Sequence, residues 1–314
     1  MVTVLMAVRD TPANQLRQAM DSIRSQTMSD FEFLVLDDGS RNPETLAELE
    51  RQKAADARIR LEAGAHCGLT RTLNRGLKLA SREWIARQDA DDWSDRERLE
   101  SQLAFLRAHP GVRLCGTNAW THRQDGKRLW PTRLPETAEQ IHSAFWRQNP
   151  FVHGSTLFLA EAAREARGYR EEFPCAQDYD FFWRLAETGG AANLPQPFYH
   201  YRYSSGAVSV SRAAEQARAH RAAQILAQHR RLAIPENVAR ALQQADESVG
   251  TGAGVLRAAL KQADHRMLAG DRWGAGRAFL GLIASHPASP LTWGKLARWA
   301  VFSTLPLAGR TCFR

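Results

Sequence analysis

The chain of 314 residues is poor in several things, and each shortage removes a class of protein. It has four cysteines, Cys67, Cys115, Cys175 and Cys312, with no C-x-x-C spacing, so neither a zinc site nor a disulfide framework is indicated. Reduced thiols, as in the cytosol, are the expectation. No apolar run approaches the roughly 18 residues of a spanning helix. The opening run, Val2–Val8, lacks the basic leader and longer apolar stretch of a signal peptide and reads as a buried strand. No segment is low in complexity and no repeat recurs at a fixed period. No G-x-G-x-x-G follows an apolar run, which argues against a dinucleotide-dependent oxidoreductase. Zinc-finger and helix-turn-helix patterns are missing too. The expected location is cytoplasmic, at most peripheral at the inner face of a membrane.

What is present is basic. The net charge is +8 with a pI near 9.7, a balance that favours anionic partners without choosing among them. Through about residue 120, short apolar runs alternate with helical patterns. Val2–Val8, Phe31–Leu36, Ile59 with Leu61, and Trp84–Ala86 read as strands. Leu16, Met20 and Ile23 mark one helix face, and Leu69, Leu73 and Leu77 another. Ser94 followed by Glu97 reads as a capping box that opens a helix carrying Leu99, Leu103 and Leu106. Strands alternating with helices indicate an α/β domain with a largely parallel sheet. Further on, Gly154–Leu159 reads as a strand and Tyr179–Ala186 as a helix. After Ser211 the chain turns rich in alanine, arginine, glutamine and leucine, and only helical patterns appear. The expected division is a catalytic domain over residues 1–211 and a helical C-terminal region over 212–314.

Three acidic signals carry chemistry. Asp89-Ala90-Asp91-Asp92 follows a strand, and carboxylates clustered there repel one another unless a cation neutralises them. Such oxygen ligands suit Mg²⁺ or Mn²⁺ shared with substrate phosphates; a solvated acidic loop is the plain alternative. Asp37-Asp38-Gly39-Ser40 also closes a strand, where ligands of open α/β sheets bind; an ordinary Asp-Gly turn would look the same. Gln177-Asp178-Tyr179-Asp180, ahead of the aromatic run Phe181-Phe182-Trp183, offers Asp178 as a general base.

Together with Gly68–Leu77, Asn149–Thr156 and Gly168-Tyr169-Arg170, these segments resemble, in order and spacing, the inverting glycosyltransferase family 2 with the GT-A fold. The resemblance covers residues 1–210 or so. It implies a Rossmann-like nucleotide-binding sheet flanked by helices, and transfer of a sugar from a nucleotide-diphosphate donor to a glycan or lipid-linked acceptor hydroxyl. Asp37 and Asp38 would hold the base and ribose, Asn74 would belong to the cofactor-binding set, and Asp89 would contact the ribose or help the metal. Asp91 would ligate the Mg²⁺ or Mn²⁺, and Asp178 would deprotonate the acceptor. Bacterial surface-polysaccharide or lipopolysaccharide assembly is the implied setting.

The chain departs from the family pattern at three places. Arg9-Asp10 replaces a common tyrosine-asparagine pair, Gln177 stands where a glutamate commonly precedes the base, and Ser204 stands where many relatives carry a histidine. His200 is then the candidate substitute ligand, with a structural role as its alternative. The Q-x-x-R-W pattern of processive synthases is missing, which indicates one sugar per event. In the tail, Leu291–Leu307 sets Trp293, Leu296, Trp299, Phe302 and Leu305 beside Lys295 and Arg298, a composition that fits either a helix on an anionic membrane or a packed one. The competing readings are a nucleotidyltransferase, which would usually show a glycine-rich basic loop where Arg9-Asp10-Thr11-Pro12 stands, and a basic nucleic-acid-binding protein. The acidic strand ends speak against nucleic acid as a partner.

Overall fold

In the computed structural model, residues 1–203, 212–249, 270–285 and 290–304 are described, with a few positions between 256 and 268. Ser204, Leu305, Leu307 and Cys312 lie outside the described residues, as does Ser211 at the expected domain junction. Two compact units emerge, one of residues 1–121 and 131–201, the other of 122–130 and 202–314.

The first unit is built on a sheet whose strands run β3-β2-β1-β4-β8-β6-β9-β5. Its parallel half comprises β1 (Val2–Val8), β2 (Phe31–Asp37), β3 (Ile59–Ala63) and β4 (Trp84–Asp89). The antiparallel half adds β5 (Trp93–Ser94), β6 (Val112–His122), β8 (Leu157–Leu159) and β9 (Gly190–Arg202), while β7 is the short strand Arg128–Pro131. β1 is apolar almost throughout because it is central and covered on both faces, as parallel strands usually are. Val4 and Met6 point into a core with Leu16, Ala19, Met20 and Ile23 of α1 (Ala13–Arg24), all fully buried. Between α2 (Pro43–Ala55) and α4 (Arg98–Ala108) comes α3 (Leu69–Leu79), which packs on the other face. A methyl group at Gly76 would lie 2.3 Å from Leu5, so the α3 backbone rests directly on β1.

Two local expectations are corrected. No capping box forms at Ser94: α4 starts at Arg98, its N-cap Glu97 makes no side-chain cap, and Ser94 sits in β5 with its hydroxyl donating to Gln88 Oε1 at 2.7 Å. A capping box forms instead at Thr137 and Gln140, opening α5 (Ala138–Phe145). The strand expected over Gly154–Leu159 shortens to Leu157–Leu159, because His153–Ser155 is a 3₁₀ turn. α3 also presents Thr70, Thr72, Leu73 and Gly76 inward and leaves Leu69 exposed. α6 (Ala160–Glu165) and α7 (Gln177–Thr188) complete the unit.

Beyond residues 122–130 and Arg202, the described part of the second unit is helical. It holds α8 (Ala213–Arg231) against α9 (Val238–Val249), and α10 (Arg272–Ser285) against α11 (Pro290–Thr304). Trp299 and Leu296 of α11 pack on a small core of Leu256, Leu260, Ala263, Ala275 and Phe279, with the Trp299 ring lying over Gly276. Lys295 pairs with Asp264. Part of the tail is therefore a packed helix. Trp273, Leu280 and Trp293 stay 81%, 56% and 53% exposed. Residues 212–314 carry 15 lysines and arginines against 6 aspartates and glutamates, so they hold +9 and residues 1–211 sum to −1. No helix among the described residues is long and apolar enough to cross a membrane.

Candidate active site

The parallel register lines up the carboxyl ends of β1, β2 and β4. Asp37 stands opposite Val8, and Asp89 opposite Ala7 on the other side of β1. Two strand spacings separate the two aspartates, about 10 Å. Both therefore belong to one edge, where open α/β sheets bind ligands.

Each acidic turn is held in shape by hydrogen bonds. Asp37 Oδ1 accepts from the Ser40 amide at 3.0 Å. Asp38 Oδ1 accepts from the Cys67 amide at 2.7 Å, and its Oδ2 from the Gly68 amide at 3.1 Å and from His66 Nδ1 at 2.8 Å. Burial opposes ionisation of Asp38, yet these donors outweigh it and hold the carboxyl below its ordinary range. Asp38 thus ties the end of β2 to the start of α3. Gly39, at φ +71°, lets the turn pass close to the His66 amide. Asp10, the departure after β1, adopts φ +46°. Its Oδ1 accepts from the amides of Arg41 (2.6 Å) and Asn42 (2.8 Å) at the start of α2, and these bonds lower its pKa.

The Asp89–Asp92 loop is templated by Gln88, whose amide donates to the carbonyls of Asp89 (3.0 Å) and Asp92 (3.1 Å). Beneath it lie two buried guanidinium groups. Arg87 donates to Asp89 Oδ1 at 2.6 Å and to the Leu5 carbonyl at 3.1 Å. Arg98 donates to the carbonyls of Gly154 (2.7 Å) and Arg87 (3.0 Å), and burial lowers its pKa to about 10. Asp92 is buried, while Asp91 and Asp89 are half-buried. Among the described residues no group of three or more His, Cys, Asp or Glu side chains is placed to hold a metal ion. A cation of the Mg²⁺ type needs only one or two carboxylates when phosphates and water complete its shell, so Asp91 with its neighbour Asp89 fits such an ion. His200 does not join them: its Nε2 is 2.9 Å from Asp95 Oδ1 and its ring stacks on Trp93 at 4.8 Å.

Asp178 lies in the first turn of α7, where the helix dipole favours a carboxylate. It is half-buried, and Asn149 Nδ2 donates to its Oδ2 at 2.7 Å. Asp180, two residues on, is built differently: fully buried, it accepts from Arg170 at 2.9 Å and Arg184 at 2.7 Å.

Asn74 is engaged twice with one residue. Its Nδ2 donates to the Tyr169 carbonyl and its Oδ1 accepts from the Tyr169 amide, both at 2.8 Å, beside Gly168 at φ +69°. Its amide clamps the 168–170 segment to α3. Tyr169 in turn places its hydroxyl 3.1 Å from His153 Nε2. The carboxylates of both Asp89 and Asp178 act electrostatically on His153 and on Tyr169, as does Arg87, so the strand-end loop and the α7 carboxylate share one neighbourhood. Gly154 keeps it tight, because a methyl there would lie 1.9 Å from the Tyr199 hydroxyl and 2.7 Å from Asp89 Oδ2. His153, Tyr169, Arg87 and Gln88 had been visible only as letters inside motifs. The usable signal was the glycine beside each of His153 and Tyr169.

A largely parallel sheet whose carboxylate turns share an edge, with a further carboxylate in the first turn of α7, is the layout of a GT-A fold. The family model described as Glycosyl transferase family 2 matches residues 3–166. The amylovoran biosynthesis glycosyltransferase AmsE of Erwinia amylovora is 28% identical over 68% of this chain and 80% of its own. The glycosyltransferase EpsE of Bacillus subtilis is 33% identical over 66% of this chain and 74% of its own. The solved mannosyltransferase PcManGT of Pyrobaculum calidifontis, in complex with GDP-Man and Mn²⁺, superposes with a TM-score of 0.56 at 16% identity, over 99% of this chain and 82% of that one. The chain is a glycosyltransferase and belongs to family 2.

Proposed function

We propose that the protein transfers one sugar per event from a nucleoside-diphosphate sugar to an acceptor hydroxyl, with inversion, in the assembly of a surface polysaccharide or lipopolysaccharide. The observation that carries this reading is that the 149–154 segment touches both acidic sites, with Asn149 bonded to Asp178, His153 against Phe182 one turn along α7, and Gly154 against Asp89. A donor diphosphate at the strand ends and an acceptor at α7 would then meet over one histidine. Support for the setting comes from AmsE, a glycosyltransferase of amylovoran biosynthesis, and support for a metal-bound nucleotide sugar from the PcManGT complex with GDP-Man and Mn²⁺.

Asp37 sits where a base or ribose could be met, and Asp89 on the ribose or diphosphate side. Asp38 and Asn74 contribute by fixing the turn and helix around that site. Asp91 would hold a Mg²⁺ or Mn²⁺, whose chemistry is to neutralise charge on the departing nucleoside diphosphate. Asp178 takes the proton of the acceptor hydroxyl, the oxygen bonds to the anomeric carbon from the face opposite the diphosphate, and the carbon–oxygen bond to the diphosphate breaks. The Asn149 amide holds one carboxylate oxygen, which leaves the other for that proton. An open groove of about 480 Å³ is lined by Ala138, Glu139, His142, Ser143 and Trp146. Trp146 packs edge-on against the buried Trp183 of α7 and is itself exposed, so its indole offers an aromatic surface in this groove that an acceptor pyranose could stack on.

Residues 212–314, with their +9 charge and exposed Trp273 and Trp293, fit peripheral binding to an anionic membrane that carries a lipid-linked acceptor. The test of the transfer reading is Asp178→Asn, with sugar transfer followed chromatographically against a panel of nucleotide sugars and lipid-linked or free glycans. Wild-type transfer that disappears in the variant while nucleotide affinity stays intact is expected. Transfer at the wild-type rate in the variant would remove Asp178 from the chemistry.

A further inference from the structure

His153 has α7 on one side, where Phe182 stands one turn from Asp178, and on the other its neighbour Gly154 lies against Asp89. Its environment is unusual in three ways. It is half-buried, and the atoms crowded around it depress its pKa, chiefly through burial. One ring nitrogen is taken: Nε2 lies 3.1 Å from the Tyr169 hydroxyl. The other, Nδ1, has no hydrogen-bond partner among the described residues, and it is not among the buried polar atoms left unsatisfied, so water reaches it. Phe182 and Tyr169 meet the ring edge-on at 5.7 and 5.8 Å and hold its plane.

The Tyr169 hydroxyl decides which nitrogen carries the proton. Tyr169 is buried, burial pushes its pKa upward, and it therefore keeps its O–H. That hydroxyl makes no other hydrogen bond among the described residues. Were it to accept from Nε2–H, its own hydrogen would be left unpaired in the interior, at a cost of about 1–3 kcal/mol. Donation from Tyr169 to Nε2 avoids this and puts the imidazole proton on Nδ1. The chain thus holds a neutral imidazole with a water-accessible N–H donor between Asp89 and Asp178.

We propose that His153 Nδ1–H donates a hydrogen bond to a hydroxyl of the sugar being transferred, and that Tyr169 is the positioning residue that fixes this tautomer. The assignment rests on the transfer reading above. In a displacement with inversion, the migrating ring occupies the space between the departing diphosphate and the base-activated acceptor. His153 borders that interval, next to Gly154 on the Asp89 side and against Phe182 on the Asp178 side. A neutral donor suits a hydroxyl, whereas a cation there would instead compete for the diphosphate.

The experiment compares dissociation constants of UDP with UDP-glucose, GDP with GDP-mannose and dTDP with dTDP-glucose, with Mn²⁺ present, by calorimetry on the full chain. The variants are His153→Phe, His153→Asn and Tyr169→Phe. For the pair that binds best, His153→Phe is expected to leave the free nucleotide's affinity unchanged and to weaken the nucleotide sugar about three- to tenfold, the range for one neutral hydrogen bond. His153→Asn, whose amide can donate from a similar position, is expected to recover part of that loss, and Tyr169→Phe to show a smaller one. Equal weakening of nucleotide and nucleotide sugar would mean that His153 only supports the fold of the site, and an unchanged ratio would mean that it does not touch the sugar. Either result overturns the proposal and leaves the transfer reading standing. Failure of the wild-type protein to bind any of the six ligands would overturn both.

Discussion

The two units use charged and polar side chains for different ends. In residues 1–201 the charges nearly balance, and many polar groups are consumed in joining one segment to another: Asp38 to residues 66–68, Asn74 to Tyr169, Tyr169 to His153, Arg98 to Gly154, and Asn149 to Asp178. In residues 212–314 the arginines are in large excess, and α8 places His229, Arg230 and Arg231 in its last turn, where the helix dipole favours them. The first pattern fixes geometry. The second concentrates positive charge, and the resulting field attracts anionic partners.

The contrast can be broken most sharply at α7. Asp178→Asn is expected to lower kcat by about 10²–10⁴-fold, the usual contribution of a placed base, with the melting temperature unchanged. Asp180→Asn, two residues away, is expected to do the reverse. It strips the carboxylate from the half-buried Arg170 and the buried Arg184, and loss of one partner of a buried pair costs about 3–5 kcal/mol, read as a lower midpoint in urea. Similar melting temperatures for the two variants would erase the distinction between the base and its neighbour.

Next in size is Asn74→Ala, which leaves the Tyr169 amide and carbonyl without their clamp. About 2 kcal/mol of stability is expected to go, together with nucleotide-sugar binding, by denaturant titration and calorimetry. A smaller effect concerns pH. Glu48, buried and held by Arg17 and Arg51, has its pKa lowered from 4.5 to about 2. Burial alone would raise it; the guanidinium hydrogen bonds more than compensate. Because the folded pKa lies below the unfolded one, this stabilisation is complete above pH 4.5 and is lost as pH falls from there toward 2. Glu48→Gln should therefore narrow the drop in melting temperature across that window, and an unaltered drop would exclude the pairing. The smallest effect belongs to the helical unit. Trp273→Ser with Trp293→Ser is expected to weaken binding to vesicles rich in anionic lipid several-fold without altering transfer to a water-soluble acceptor. Wild-type binding that ignores both salt and these substitutions would count against a membrane-facing field.

Much of the first unit was legible because its residues obey simple periods. β1 reads as a buried run, α1 as Leu16, Met20 and Ile23, and the acidic turns fall where strands stop. The failures share one cause, long-range competition for a local group. Ser94 looks like a cap, but Gln88 claims its hydroxyl. Gly154 looks like strand, but Arg98 and Tyr199 press on its backbone. For the site, the motif order gave the candidate carboxylates, while the bonds joining the motifs could not be read, since Asn74 and Tyr169 stand 95 residues apart. His153 had no signal of its own beyond the glycine that follows it.

The central claim is that the strand-end carboxylates bind a metal–nucleotide pair, and calorimetric titration of UDP, GDP and dTDP with and without Mn²⁺, on wild type and Asp91→Asn, tests it most directly. One nucleotide should bind only with Mn²⁺ present, and that dependence should vanish in Asp91→Asn while the melting temperature is kept. Binding of no nucleotide under any condition, or Mn²⁺-dependent binding untouched by Asp91→Asn, would contradict it.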